Sequence, residues 1–244
     1  MTAAVAEPRI VPRQTWIGLT LAGMIVAGWA SLHVYGVYFH RWGPSSLVIA
    51  PAIVAVQTWL SVGLFIVAHD AMHGSLAPGR PRLNAAVGRL TLGLYAGFRF
   101  DRLKTAHHAH HAAPGTADDP DFHAPAPRAF APWFLNFFRT YFGWREMGVL
   151  TVLVLIALFG LGARPANLLA FWAAPALLSA LQLFTFGTWL PHRHTDQPFA
   201  DAHHARSSGY GPLLSLLTCF HFGRHHEHHL TPWRPWWRLW RGES

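Results

Sequence analysis

Four apolar runs of membrane-crossing length leave this chain few folds to choose from. A spanning helix needs roughly 20 apolar residues to traverse about 30 Å of hydrocarbon, where every backbone polar group must be satisfied within its own segment. The runs are Trp16 to Tyr38, Leu47 to Ala68, Met147 to Ala163 and Leu168 to Leu190. The first two are joined by HRWGPSS, in which Gly43 and Pro44 break a helix, and the last two by the tight RPAN around Pro165. The expectation is an all-α integral membrane protein, a single domain with four transmembrane helices in two hairpins. Between the hairpins, Leu83 to Phe98 is too short to span and carries Arg89 in its middle, so it reads as re-entrant or buried against the other helices. Ala129 to Phe142 is aromatic and basic. It suits a helix lying at the lipid surface, or alternatively a loop with core-facing aromatics.

Composition agrees with lipid: 52% of residues are apolar and 12% charged. The net charge of +8 does not imply nucleic acid, because the basic residues punctuate apolar runs and form no basic face on a soluble module. They report orientation instead. In the four-span arrangement only Arg41 and Arg164 fall on one side, leaving the other 17 of 19 on or near the opposite one, which is therefore cytoplasmic. Both termini and the segment between the hairpins belong there. The leading MTAAVAEPRIVPRQ has neither the apolar core nor the cleavage site of a signal peptide and reads as a short cytoplasmic tail. The closing WRPWWRLWR has the Trp and Arg mix expected at the headgroup boundary. Cys219 stands alone, so a disulfide within the chain, a Cys-rich zinc site and a Cys-held iron–sulfur cluster are all excluded.

A metal would have to be held by histidine. The chain has 18, twelve of them in four short clusters on the cytoplasmic side of this topology. His69 and His73 are four apart at the exit of the second run, so on a helix both imidazoles share one face about 6 Å apart. His107-His108-Ala-His110-His111 and His225-His226-Glu-His228-His229 repeat one pattern. In each, positions i, i+3 and i+4 share a face: His107, His110 and His111, then His225, His228 and His229. His108 and His226 turn aside by about 100°, although a register that uses them instead is open. His192 and His194 end the last run and can close the site from the second hairpin. So many imidazoles repel one another if protonated and waste hydrogen bonds if neutral, unless metal binds them. Eight or nine exceed a tetrahedral zinc site and suit two metals with positions left open for dioxygen. With only 11 acidic residues in the chain, Asp70, Asp118, Asp119, Asp121 and Glu227 are placed to orient imidazole N–H groups, not to ligate. For Asp118-Asp119-Pro-Asp121 the alternative is a turn whose side chains bond nearby backbone. His33, His40 and His123 are isolated and read as ordinary interfacial residues.

His-x3-His followed by two His-x2-His-His boxes among four spans resembles the membrane fatty-acid desaturase and hydroxylase superfamily. HDAMHG at His69 to Gly74, HHAHH followed by DDPDF at Asp118 to Phe122, WLPHRH ending at His194 and FHFGRHHEHHLTPWRPWW from Phe220 to Trp237 resemble its bacterial β-carotene 4-ketolase branch over nearly the whole chain. The resemblance implies two iron ions on His69, His73, His107, His110, His111, His225, His228 and His229, with His192 as a further ligand. His194 has no clear counterpart in the superfamily but is, like His203, a possible ligand or ring-orienting residue, while the loop that holds His203 and His204 has no assigned role. Thr188 stands where some desaturases carry an Asn that meets iron through water. The implied reaction uses O2 to hydroxylate ring carbon C4 twice, and the resulting geminal diol loses water to a ketone. β-Carotene would pass through echinenone to canthaxanthin, and zeaxanthin to astaxanthin, in a bacterial inner membrane. Electrons would come from an external donor, a ferredoxin fed by NAD(P)H, since the chain carries no dinucleotide, flavin or haem motif. A rigid polyene would enter laterally from the bilayer through an aromatic-lined tunnel. Rival readings are a carotenoid 3-hydroxylase, a fatty-acyl desaturase, an alkane hydroxylase and, from another class, a histidine-rich membrane metal carrier. A carrier would place its ligands within the spans along a route, whereas these gather on one side.

Overall fold

Residues 11–240 are described in the computed structural model, and every regular element among them is helical. The expected amino-terminal tail lies mostly outside them. Three helices are long and apolar enough to cross a membrane, each of 28 residues. The first is α1 (Pro12–Val34), prolonged by a π turn at Tyr35–Phe39. The second is α2 (Ser46–His73), and the third, α7, runs from Pro165 to His192 and contains π turns at Leu169–Ala173 and Phe184–Trp189.

The third expected span takes a different form. The helix α5 (Phe130–Tyr141) meets α6 (Trp144–Leu155, continued by a π turn at Ile156–Gly160) at a bend of 76°, and the pair together supplies a fourth candidate span. The break lies at Phe142 and Gly143, both extended, and a new helix starts at once because the Glu146 carboxylate accepts the Gly143 N–H at 3.1 Å. The helix therefore begins three residues before the apolar run does. Ala129 to Phe142 is a helix and not a loop, pinned by the fully buried Trp133, whose indole N–H donates to the Asp121 carbonyl at 2.7 Å.

The centre of the bundle is α2. Against it pack α1, α7 and α3 (Pro81–Ala96), which buries Asn84, Gly88, Thr91, Leu92 and Tyr95. Arg89 points off the opposite face to Asp101, 3.2 Å away, so a basic residue inside an apolar run is accommodated at the surface. A further helix, α4 (Phe100–Ala112), follows at once, and two short ones, α8 (Pro212–Cys219) and α9 (His225–Leu230), come after the last span. Gly74 ends α2 immediately after His73. At φ 72° it adopts the left-handed conformation, and Ser75 N–H returns to the Asp70 carbonyl at 2.9 Å, so the chain turns off just past the second imidazole. The carboxyl-terminal aromatic segment is more than a surface anchor. Trp233 is exposed, but Trp236 and Leu239 of α10 (Trp236–Leu239) join the main core, and the Trp236 backbone N–H donates to Asp70 Oδ2 at 3.2 Å.

Candidate metal centre

Nine imidazoles converge in two groups, within each of which one ligand atom per residue lies within 4.8 Å of all the others. The first holds His69, His73, His107, His111 and His228; the second holds His110, His192, His225 and His229. Helix geometry explains the division. Each i,i+4 pair serves a single group, so His69 with His73 and His107 with His111 enter the first, and His225 with His229 the second. The middle residue of each box crosses over: His110 leaves α4 for the second group and His228 leaves α9 for the first. Neither box alone builds a site, and the two sites share both helices.

The nitrogens meet at ligand spacing. Nε2 atoms lie 2.7 Å apart in His73 and His107, 3.1 Å in His111 and His228, 2.9 Å in His192 and His225, and 3.1 Å in His225 and His229. Two nitrogens bound to one ion at 2.0–2.1 Å stand about 2.9–3.4 Å apart, so most of these distances fit a shared metal. His69 Nε2 is buried in the first group with no hydrogen-bond partner among the described residues, and His225 and His229 each leave Nδ1 without one there. Burial first, and neighbouring imidazoles next, hold His107, His225, His228 and His229 far below the ordinary histidine pKa, with His111 pushed down to about 2. These rings are neutral and present lone pairs, as metal ligands must.

Orientation comes from outside the groups. His110 Nδ1–H donates to the buried Asp119 carboxylate at 3.0 Å, and although burial pulls the imidazole pKa down, Asp119 and Asp121 together leave it raised. Asp119 also accepts Gly115 N–H at 2.7 Å and Asp121 N–H at 2.8 Å, so one carboxylate both closes the turn and faces the His110 ring. Asp121 accepts the Tyr141 hydroxyl, and its other oxygen stands 4.0 Å from His110 Nδ1. His192 Nδ1–H donates to the His204 carbonyl at 2.8 Å, while the His204 ring donates to the Pro114 carbonyl at 2.7 Å. No sequence motif marks a backbone carbonyl as a ring acceptor. The only signal was an unexplained His-His pair in a loop.

Other candidates lie outside both groups. His108 donates to the Met72 carbonyl at 3.1 Å and His226 to Asp201 at 2.8 Å, so the register that would use them is not the one adopted. His194 packs between Phe122 and Phe199, and the His203 ring lies 5.9 Å from that of His229. Asp118 is exposed in the turn. Glu227 accepts from Ser207 and pairs with Arg224, away from the imidazoles. Asp70 Oδ1 is 3.8 Å from His69 Nδ1, beyond hydrogen bonding, and its other oxygen holds the carboxyl-terminal segment. Thr188 is buried one turn before His192 and belongs to neither group.

Beside the two groups lies a cavity of about 490 Å³ whose wall includes His69, His107, His110 and His225. Elsewhere it is almost wholly apolar, with Phe134, Phe137 and Phe138 from the bent pair facing Trp172 and Ala176 of α7. Its lining follows α7 from Leu168 to Thr188, a rise of about 30 Å at 1.5 Å per residue. The site therefore offers nitrogens able to hold metal at one end of a long, apolar slot.

Comparison with known proteins places this arrangement. The fatty acid desaturase family model matches residues 43–150 and 139–241. The chain is 51% identical to a β-carotene ketolase of Paracoccus sp. strain N81106 over 92% of its own length and 91% of the relative's. It is 50% identical to the β-carotene ketolase of Paracoccus sp. strain PC1 over the same shares, 92% and 91%. To the zeaxanthin 4-ketolase of Chlamydomonas reinhardtii it is 38% identical over 93% of this chain and 53% of that longer protein. With four histidine clusters drawn into two groups able to hold metal and the family model matching most of its length, this multi-pass chain belongs to the fatty acid desaturase family, on the branch that holds the β-carotene ketolases.

Proposed function

We propose that the protein is a carotenoid 4-ketolase that oxidises ring carbon C4 of β-carotene, through echinenone to canthaxanthin, and of zeaxanthin to astaxanthin. The observation that carries this reading is the junction of nine imidazoles with a long apolar cavity, in a chain half identical to β-carotene ketolases. The donor set supports two iron ions, one on His69, His73, His107, His111 and His228 and the other on His110, His192, His225 and His229. When bound, the iron pair supplies the O2 activation that a C–H bond of this strength requires.

The protein's own part is placement and exclusion. Asp119 fixes the His110 ring and the His204 carbonyl fixes His192, which turns both Nε2 atoms inward. The apolar walls keep bulk water from the reacting carbon and hold a rod-like polyene with one ring toward the nitrogens. Each hydroxylation puts one atom of O2 into a C4–H bond and releases the other as water, consuming two electrons and two protons. The geminal diol left after the second round loses water as its C–O bond breaks and the other hydroxyl gives up its proton. Electrons reach the site from a separate donor, a ferredoxin reduced by NAD(P)H. The four-span topology, with the histidine-bearing helices on the cytoplasmic face of an inner membrane, belongs to the same proposal and is supported by the Lys and Arg distribution. Expression in cells that accumulate β-carotene tests it: echinenone and canthaxanthin are expected, and ring-3-hydroxylated products without ketones would replace this reading with the hydroxylase.

A further inference from the structure

Three hydroxyls line the cavity, and two of them are occupied within the protein. Tyr141 donates to Asp121, and Tyr95 receives the Ser179 hydroxyl at 3.4 Å. Thr188, only 8% exposed, makes no hydrogen bond among the described residues. A threonine in an α-helix ordinarily donates to the carbonyl four residues back, as Thr58 does to Val54 and Thr185 to Leu181, both at 2.7 Å. Thr188 lies in the π turn Phe184–Trp189, where the backbone spacing widens and that internal partner is not engaged. A hydroxyl that opens on an apolar slot and has no partner is costly, so the free one of Thr188, one turn from His192, points to a ligand oxygen.

A hydrocarbon ring brings no oxygen to this position, but its first oxidation product does. We infer that Thr188 donates its hydroxyl hydrogen to the oxygen of the singly hydroxylated ring, retaining the alcohol so that the same carbon meets the metal centre a second time. The inference rests on the ketolase reading and adds what separates a ketolase from an enzyme that releases the alcohol. Without the donor, the secondary alcohol sits unsatisfied in an apolar cavity and leaves sooner. No covalent step is assigned to Thr188. Its role is to hold the intermediate between two hydroxylations, each drawing on O2 and the external electron donor.

The experiment compares wild type with Thr188→Val, which keeps the branch and removes the hydroxyl, Thr188→Ala, which removes it without the branch, and Thr188→Ser, which keeps it. In β-carotene-producing cells, the ratio of C4-hydroxy to C4-keto products should rise about three- to tenfold in the Val and Ala variants, the worth of one hydrogen bond, and return to the wild-type value in Ser. Products are compared at equal amounts of folded protein, because less enzyme by itself also leaves more of the intermediate in a sequential reaction. Quenching of tryptophan fluorescence in the purified, dioxygen-free protein, where nothing turns over, supplies a second readout. Wild type and Ser should bind the C4 alcohol several-fold more tightly than β-carotene, and Val should lose that preference. An unchanged product ratio in both Val and Ala, or a Ser variant that behaves like Val, overturns the inference while leaving the ketolase reading intact. Absence of any ketone from the wild-type chain overturns the reading beneath it.

Discussion

His107 and His108 are chemically identical neighbours with opposite assignments, which makes them the sharpest pair at the residue scale. His107 enters the first imidazole group, while His108 turns back to the Met72 carbonyl. His107→Ala is therefore expected to abolish ketone formation and lower iron content, and His108→Ala to keep more than about a third of the wild-type product, since it removes a single part-buried hydrogen bond. Product analysis beside iron content checks both. Asp119→Asn keeps the shape but weakens the acceptor for His110, and changes of this kind reduce metal affinity or activity about 10- to 100-fold. Iron retained after dialysis against a chelator measures it, and wild-type retention would show that Asp119 serves the turn alone. The spacing of the boxes was legible because i, i+3 and i+4 share a helical face whatever the surroundings. Which imidazole joined which group was not, because that depends on how α2, α4 and α9 cross, and no local spacing encodes a crossing. Asp119 and Asp118 are equally plausible on paper, and only the closure of the Gly115–Asp119 turn separates them.

At the scale of elements, the segment that delivers the last box is the most constrained. Phe220 and His221 take positive φ values of 48° and 67°, conformations unfavourable for side chains of this kind. They are held there by packing: the fully buried Phe220 ring stacks on Trp59 at 4.6 Å and meets Trp236 edge-on. Phe220→Ala is expected to destabilise the protein by about 3–5 kcal/mol and to loosen α9 with its three inward imidazoles. A thermal unfolding midpoint in detergent checks this, and an unchanged midpoint would mean that the turn is secured elsewhere. Apolar length announced α1, α2 and α7, because twenty apolar residues in lipid have only the helix open to them. The bend between α5 and α6 was hidden, since Trp144, Arg145 and Glu146 look like the polar edge of a run although Glu146 caps a helix that includes them. The π turns left no hydropathy signal either, and one of them sets the environment of Thr188.

In the whole molecule, a bundle centred on α2 brings two imidazole groups to the end of a slot long enough for a rigid substrate. Filling the slot tests its use. Ala176 lines it on α7, well away from His192, so Ala176→Trp should block ketone formation while leaving iron content at the wild-type level. Products from that variant at the wild-type rate would mean the substrate lies elsewhere. More basic still is the metal itself. Iron and zinc should be quantified in protein purified without oxygen, for wild type and for His192→Ala. About two irons per chain are expected in wild type, with loss confined to about one in the variant, because His192 serves only the second group. Stoichiometric zinc without iron in the wild-type chain would contradict this.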